Sequence, residues 1–526
     1  MVEMNLDWDL KNTFQLYKGA FLNSKKYWLI YLALMIIGFI SLADVSNYSS
    51  PKLEIASLIV FAVAGVFCIC YYQLHSDEEE LFKTAFVIIL IFGILFALIL
   101  PICASADEVE HFVRAELTSR GEFIPEYHLE NYTYEGTPQK GYYLTIQSVL
   151  DLIDRGKQTW ESGFDHIDYK NATILKTDAD TQHINHSPAK YHNAFAQNPF
   201  YGYIAPAIGI IIAKLLDMNA IYLMWFGRIC NVLLYAALIS LAIRKTPILK
   251  VPLMVVSVMP LFLLQTSSLS IDTMIGGLGI YSIALFFYMY KSPNGSLDYK
   301  DILKFAFVIL LLGLCKVSFF AFILLVLFVP ISNFKDKKYY LCGILSIFGL
   351  MILFFLWTKL YMDPVILNSS RHIGSLGTPR TASQIDFLLT HKKEALVSIS
   401  HYLNLLNGDL SFIDAFNSMY LMFLGGVFLF YPNERFDFKS KLGALLVFLA
   451  VYVGTYLIFL ITYSNPGSLV VKGVWPRYFY PAFGLIPFVF GINHSSDDKT
   501  EINSYLLMIS IAFLAIQLIF MIVSYY

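Results

Sequence analysis

The sequence predicts an all-α polytopic membrane protein. Of its 526 residues 57% are hydrophobic and only 14% charged, mean hydropathy is +0.60, and apolar runs long enough to cross hydrocarbon recur from end to end. A formal net charge of −2 offers no basic surface for nucleic acid, so any charge that matters is local. The chain contains no internal repeat, coiled-coil heptad or glycine-rich phosphate loop of the Walker kind.

The polar start MVEMNLDWDLKNTFQLYKGAFLNSKK lacks a short apolar core before a small-residue cleavage site, so Tyr27 to Leu42 is expected to stay as an uncleaved first span. A second span is expected at 57–73. Further spans are expected near 85–103, 221–243, 251–265, 272–290, 302–314, 317–331, 339–361, 414–431, 444–463, 476–492 and 503–524, about thirteen in all. With the N-terminus cytoplasmic, alternate crossings put the basic short loops RKTPILK, KSPNGSLDYKD, NFKDKK and NERFDFKSK inside. Counting Phe200 to Leu216 as a crossing would invert every later loop, so this segment is expected to lie on the outer surface as an interfacial helix. Two large extracytoplasmic loops result, 104–198 and 362–413. The first holds fifteen acidic residues against eight Lys and Arg, and its scattered aromatic and apolar residues predict an ordered cap. All six cysteines sit in or beside apolar runs, so neither a disulfide nor a cysteine metal site is expected. The histidines of HINHSPAKYH lack a nearby carboxylate or helical spacing, and zinc is not expected there.

Ionisable groups gather at the outer ends of the spans: Asp107, Glu108, His111, Arg114, Arg228, Asp272, Lys316 and Arg477. Asp107 and Glu108, with His111 and Arg114 on the following turns, form a patch that can serve a general base toward a hydroxyl. They equally suit an acidic helix N-terminus complementing the macrodipole. Lys316, alone between two apolar runs at an outward hairpin tip, suits either a lipid phosphate or a snorkelling cation.

The segments ADEVEHFVRA, NPFYGYIAPAIGIIIAKLLDMN, FGRICNVLLYAALISLAIR, MPLFLLQTSSLSIDT, CKVSFFAFILLVLFVP and WPRYFYPAF, in that order, resemble the bacterial membrane family called domain of unknown function 2142, itself similar to the GT-C glycosyltransferases. The resemblance runs from about Phe86 onward, and it implies that 1–84, with its two spans, is an N-terminal extension and 85–526 the GT-C-like module. It implies a GT-C-like fold and a bacterial plasma-membrane enzyme that takes a sugar from a polyprenyl-phosphate donor on the extracytoplasmic side. The implied acceptor is a hydroxyl of a cell-envelope glycan or teichoic-acid-like polymer, with inversion at the anomeric carbon. Asp107 stands where such enzymes carry their base, with Glu108 beside it. Lys316 matches a donor-phosphate lysine. Arg477 matches an arginine in a Gly-Arg-Tyr-like segment, although Pro476 replaces the glycine. NPFYGY stands where many relatives have a Pro-Pro pair, with Phe200 replacing the second proline. His111, Arg114, Asn198, Arg228 and Asp272 join Lys316 and Arg477 as expected substrate contacts, and dependence on a divalent cation is left open. A polysaccharide polymerase, for which Arg371 and Arg380 in the second loop speak, and a lipid-linked-sugar flippase are the alternative functions.

Overall fold

A computed structural model describes residues 10–42, 51–134, 136–161, 182–193, 195–362, 380–394, 397, 412–462, 471, 474–495 and 499–525. Most of the second predicted outer loop, 362–413, and the middle of the first lie outside the described residues. So does Arg371.

The chain is mostly helical. Helices α1 (Leu10–Asn23), α2 (Lys25–Leu42), α3 (Pro51–Leu74) and α4 (Leu81–Ile99) lead into a loop region containing α5 (Glu108–Ser119) and α6 (Gln147–Glu161). Then follow α7 (Ile204–Leu215), α8 (Ile221–Lys245), α9 (Lys250–Ser257), α10 (Pro260–Thr266), α11 (Asp272–Lys291), α12 (Tyr299–Cys315) and α13 (Lys337–Trp357). The last are α14 (Arg380–Thr390), α15 (Phe412–Phe430), α16 (Phe438–Thr462), α17 (Ile486–Phe490) and α18 (Thr500–Tyr525).

Among the described residues eight helices are long and apolar enough to cross a bilayer: 25–42, 52–74, 81–99, 221–245, 272–291, 337–361, 438–461 and 500–525. The other five expected spans are shorter or broken. Pro260 forces Met259 to an extended ψ of 124° and divides 251–265 into α9 and α10. Pro476, Pro481 and Pro487 divide 476–492 into two 3₁₀ turns and the short α17. Val317–Phe328 winds as a 3₁₀ helix, whose rise of about 2.0 Å per residue gives 12 residues more reach than an α-helix would. Outward faces are apolar, as Ile36, Ile37 and Ile40 on α2 and Met351, Leu353 and Phe355 on α13 illustrate.

The loop after α4 departs from an all-α expectation. Strands β1 (His128–Tyr134), β2 (Thr137–Ile146) and β3 (Pro188–Tyr191) form one antiparallel sheet in the order β1-β2-β3, with His128 opposite Tyr142 and Tyr143 opposite Tyr191. The β1-β2 turn places Gly136 at φ +73°, a region that suits glycine. The sheet, α5 and α6 together cap one end of the bundle.

Hydrogen bonds and ion pairs sort the turns onto two ends. At one, Lys250 Nζ donates to the Glu78 carbonyl at 2.9 Å, Lys291 pairs with Glu434 at 2.7 Å and Lys335 with Asp298 at 3.6 Å. The other end carries α5, the sheet and the starts of α8 and α11. Helix α7 begins and ends there. Tyr203 meets His111 at its start, and beyond its C-terminus the Ala220 N–H donates to the Gln182 carbonyl at 2.8 Å. Gly209 lets it approach the α8 backbone at Phe226 and Gly227, while Ile204, Ile208, Ile212 and Leu215 face outward.

Candidate functional site

Four ionisable side chains from four parts of the chain meet beneath the cap. Asp107 ends the turn before α5 with φ +62°, a left-handed conformation that Asp adopts more readily than most residues. Its Oδ2 accepts from Arg477 Nη2 at 2.6 Å, and Oδ1 has no hydrogen-bond partner among the described residues. Arg477, in the proline-broken turn after α16, also sets Nε 3.3 Å from Asp272 Oδ2, an ion pair without hydrogen-bond alignment. Asp272 opens α11. Lys316, at the junction of α12 and the 3₁₀ helix, holds its ammonium 3.3 Å from the centre of the Tyr478 ring and 5.0 Å from that of Phe459. Burial pushes its pKa down to about 8, with Asp272 and Asp107 pulling upward and Arg477 adding to the depression. Asp107 is 38% exposed and Arg477 and Asp272 each 10%, so the base candidate is more open than the arginine and the second carboxylate.

The remaining expected site residues are drawn inward. Glu108 and Arg228, both 0% exposed, form a bidentate pair at 2.8 and 2.7 Å. Arg228 spends its other three N–H groups on the carbonyls of Ala97, Leu100 and Pro101, and Glu108 also accepts from the Leu269 N–H at 3.1 Å. Arg114, likewise 0% exposed, donates to Thr118, Phe123, Tyr361 and the Asn198 carbonyl. These three residues tie α4, α5, α8 and the loops around them, and the interior occupies the groups that sequence reading offered to catalysis or substrate.

His111 and Asn198 lie between the two sets. Asn198 Nδ2 donates to the Tyr203 hydroxyl at 2.9 Å, which leaves that hydroxyl's own proton for His111 Nδ1 at 2.6 Å. A neutral imidazole is what such a bond requires. Burial, despite the opposing carboxylates of Asp272 and Asp107, pushes the His111 pKa down to about 4. The ring stacks on Phe195 at 4.7 Å.

Tyr478 and Tyr203 were not singled out by sequence reasoning. Tyr478 had a signal in its place beside Arg477, and Tyr203 in the segment NPFYGY. As for a divalent cation, Asp107 and Asp272 are the carboxylates of the site and share one guanidinium. The described residues bring together no group of three His, Cys, Asp or Glu that could hold a metal.

A helical bundle with apolar outer faces and charges paired at its ends defines a multi-pass membrane protein. The chain belongs to the family described as "Predicted membrane protein (DUF2142)", whose model matches residues 90–486. No curated protein and no solved structure matches it.

Proposed function

We propose that the protein is a lipid-linked-sugar-dependent glycosyltransferase, which moves a sugar from a polyprenyl phosphate to a hydroxyl of a cell-envelope glycan or teichoic-acid-like polymer outside the membrane. The observation that carries this reading is the convergence of Asp107, Asp272, Lys316 and Arg477 at one end of the bundle, with Asp107 more open than Arg477 and Asp272 and its Oδ1 uncommitted among the described residues. The acceptor oxygen attacks the anomeric carbon as its proton passes to Asp107. The bond from that carbon to the phosphate oxygen breaks, and direct attack inverts the centre. Lys316 and Arg477 offset the charge on the departing phosphate, while Asp272 holds the guanidinium from its other side. In this reading Glu108, Arg114 and Arg228 hold the frame, and α7 rests in the outer interface.

Membranes carrying the parent or Asp107→Asn protein, supplied with a polyprenyl-phosphate monosaccharide and envelope acceptor, test the reading. The parent consumes the donor and forms a glycoside, and the variant is slower by about 10²- to 10⁴-fold. Equal rates remove Asp107 as the base. Translocation of the intact donor marks a flippase, and extension of a lipid-linked oligosaccharide with no use of the monosaccharide donor marks a polymerase.

A further inference from the structure

Helix α11 packs against α8 on one side and α12 on the other. Toward the end of the bundle away from Asp107, two lysines reach over α11 from these two neighbours. Lys245, the last residue of α8, holds its ammonium 3.0 Å from the centre of the Tyr288 ring, and Lys304 of α12 holds its own 5.6 Å from that of Tyr281. Tyr281 and Tyr288 stand two turns apart on one face of α11, which forms the floor between the lysines.

Neither ammonium has a hydrogen bond or an ion pair among the described residues, and neither is enclosed, since Lys304 is exposed and Lys245 half-buried. The hydroxyls of Tyr281 and Tyr288 are uncommitted in the same sense. Lys304 repels Lys245, and Asp301 is the carboxylate that attracts it. Asp301 is itself engaged in the capping box of α12, where its Oδ2 accepts the Asp298 N–H at 3.1 Å.

The depth of the pair calls for an anion. Lys304 lies about 7.5 Å along α12 from Tyr299, between Leu303 and Phe307, whose side chains are exposed with the apolar outer surface. Its ammonium reaches Tyr281, about 15 Å along α11 from Lys291, and so turns away from the aqueous end of its own helix. Leu241, one turn before Lys245, is exposed as well. A cation on the lipid-facing side of a span is costly unless a counter-charge accompanies it.

We infer that the groove over α11 between α8 and α12 binds an anionic phospholipid, with Lys245 and Lys304 on its phosphate and its acyl chains along Leu241, Leu303 and Phe307. Basic pockets between spans at a membrane surface suit such headgroups. A phosphodiester with no ammonium of its own fits best, because a zwitterionic headgroup would set a third cation beside the two. This site is separate from the one around Asp107 and stands whether or not the chain transfers sugar.

The test uses the purified full chain in nanodiscs of phosphatidylcholine and phosphatidylglycerol, free of polyprenyl lipid, with the retained lipid counted by native mass spectrometry. The parent should retain phosphatidylglycerol in preference to phosphatidylcholine, and Lys245→Gln and Lys304→Gln should each lower that retention about tenfold. Lys25→Gln, at an exposed lysine of α2 without an ion pair among the described residues, should retain it as the parent does. Phosphatidylglycerol added to the parent in detergent should also raise its melting temperature, a readout that needs no variant. Equal retention of the two lipids overturns the inference. A loss in Lys25→Gln as large as in Lys304→Gln does so too, because it marks a general attraction to the basic surface. So does a loss in Lys316→Ala that the Lys245 and Lys304 variants do not share, because the lipid then sits at the opposite end.

Discussion

Asp107 and Glu108 are adjacent in sequence, but Asp107 holds a left-handed φ of +62° in the turn while Glu108 opens α5, and that change of backbone separates their surroundings. One carboxylate meets Arg477 in a half-open site, and the other is enclosed by Arg228, all five of whose N–H groups are occupied. Arg228→Met, which strands a buried carboxylate, should destabilise the protein by roughly 3–5 kcal/mol in denaturant titration in detergent. Asp107→Asn should melt close to the parent, because Asn tolerates the left-handed backbone and keeps a hydrogen-bond acceptor. His111 gives a pH prediction. Its folded pKa of about 4 lies below the ordinary 6.5, so between those values the unfolded chain binds a proton that the folded chain does not. The resulting stability is complete above pH 6.5 and is lost as pH falls toward 4, by up to ~3 kcal/mol. Melting curves at pH 7 and pH 5 should show the decline in the parent and a shallower one in His111→Gln. The sequence made the chemistry of these residues legible but not their partners. Nothing in the spacing of Glu108 and Arg228 says that they meet, whereas a charge beside an aromatic, as at Arg477 and Tyr478, marks a site locally.

At the scale of elements, hydropathy located the apolar segments and proline decided which are continuous. Pro260, Pro476, Pro481 and Pro487 are visible in the sequence, but a window average is blind to a missing N–H. For this reason 251–265 and 476–492 read as spans and fold as broken pieces. The hairpin of β1 and β2 was not read from the sequence, although Glu135-Gly136 stands there between aromatic-rich flanks. Its tyrosines read as a cap because the alternation is weak. The α7-α8 contact was not legible, since no local pattern reports which backbone Gly209 approaches. A Cβ there would lie 2.2 Å from the Phe226 carbonyl oxygen. Gly209→Ala should therefore cost about 1–3 kcal/mol in thermal unfolding, while Gly349→Ala, where nothing lies within 4 Å, should be neutral or slightly stabilising.

Across the whole molecule the turns divide between two ends, and this division carries the sidedness prediction. Cysteines introduced singly at positions 140 and 337, one in β2 and the other at the start of α13, should react differently with an impermeant thiol reagent in intact cells. Labelling is expected at 140 and not at 337, and the reverse would invert the orientation. The outermost helices raise a question of timing. Helices α2 and α3 pack on α18, with Lys26 paired to Glu501 across 475 positions at 2.7 Å and Tyr27 edge-on to Tyr505. All three of these helices lie outside the residues that the family model matches. At about 5–20 residues per second, α18 leaves the ribosome roughly 25–95 s after α2, so α2 and α3 stand in the bilayer for that interval before the surface that receives them is made.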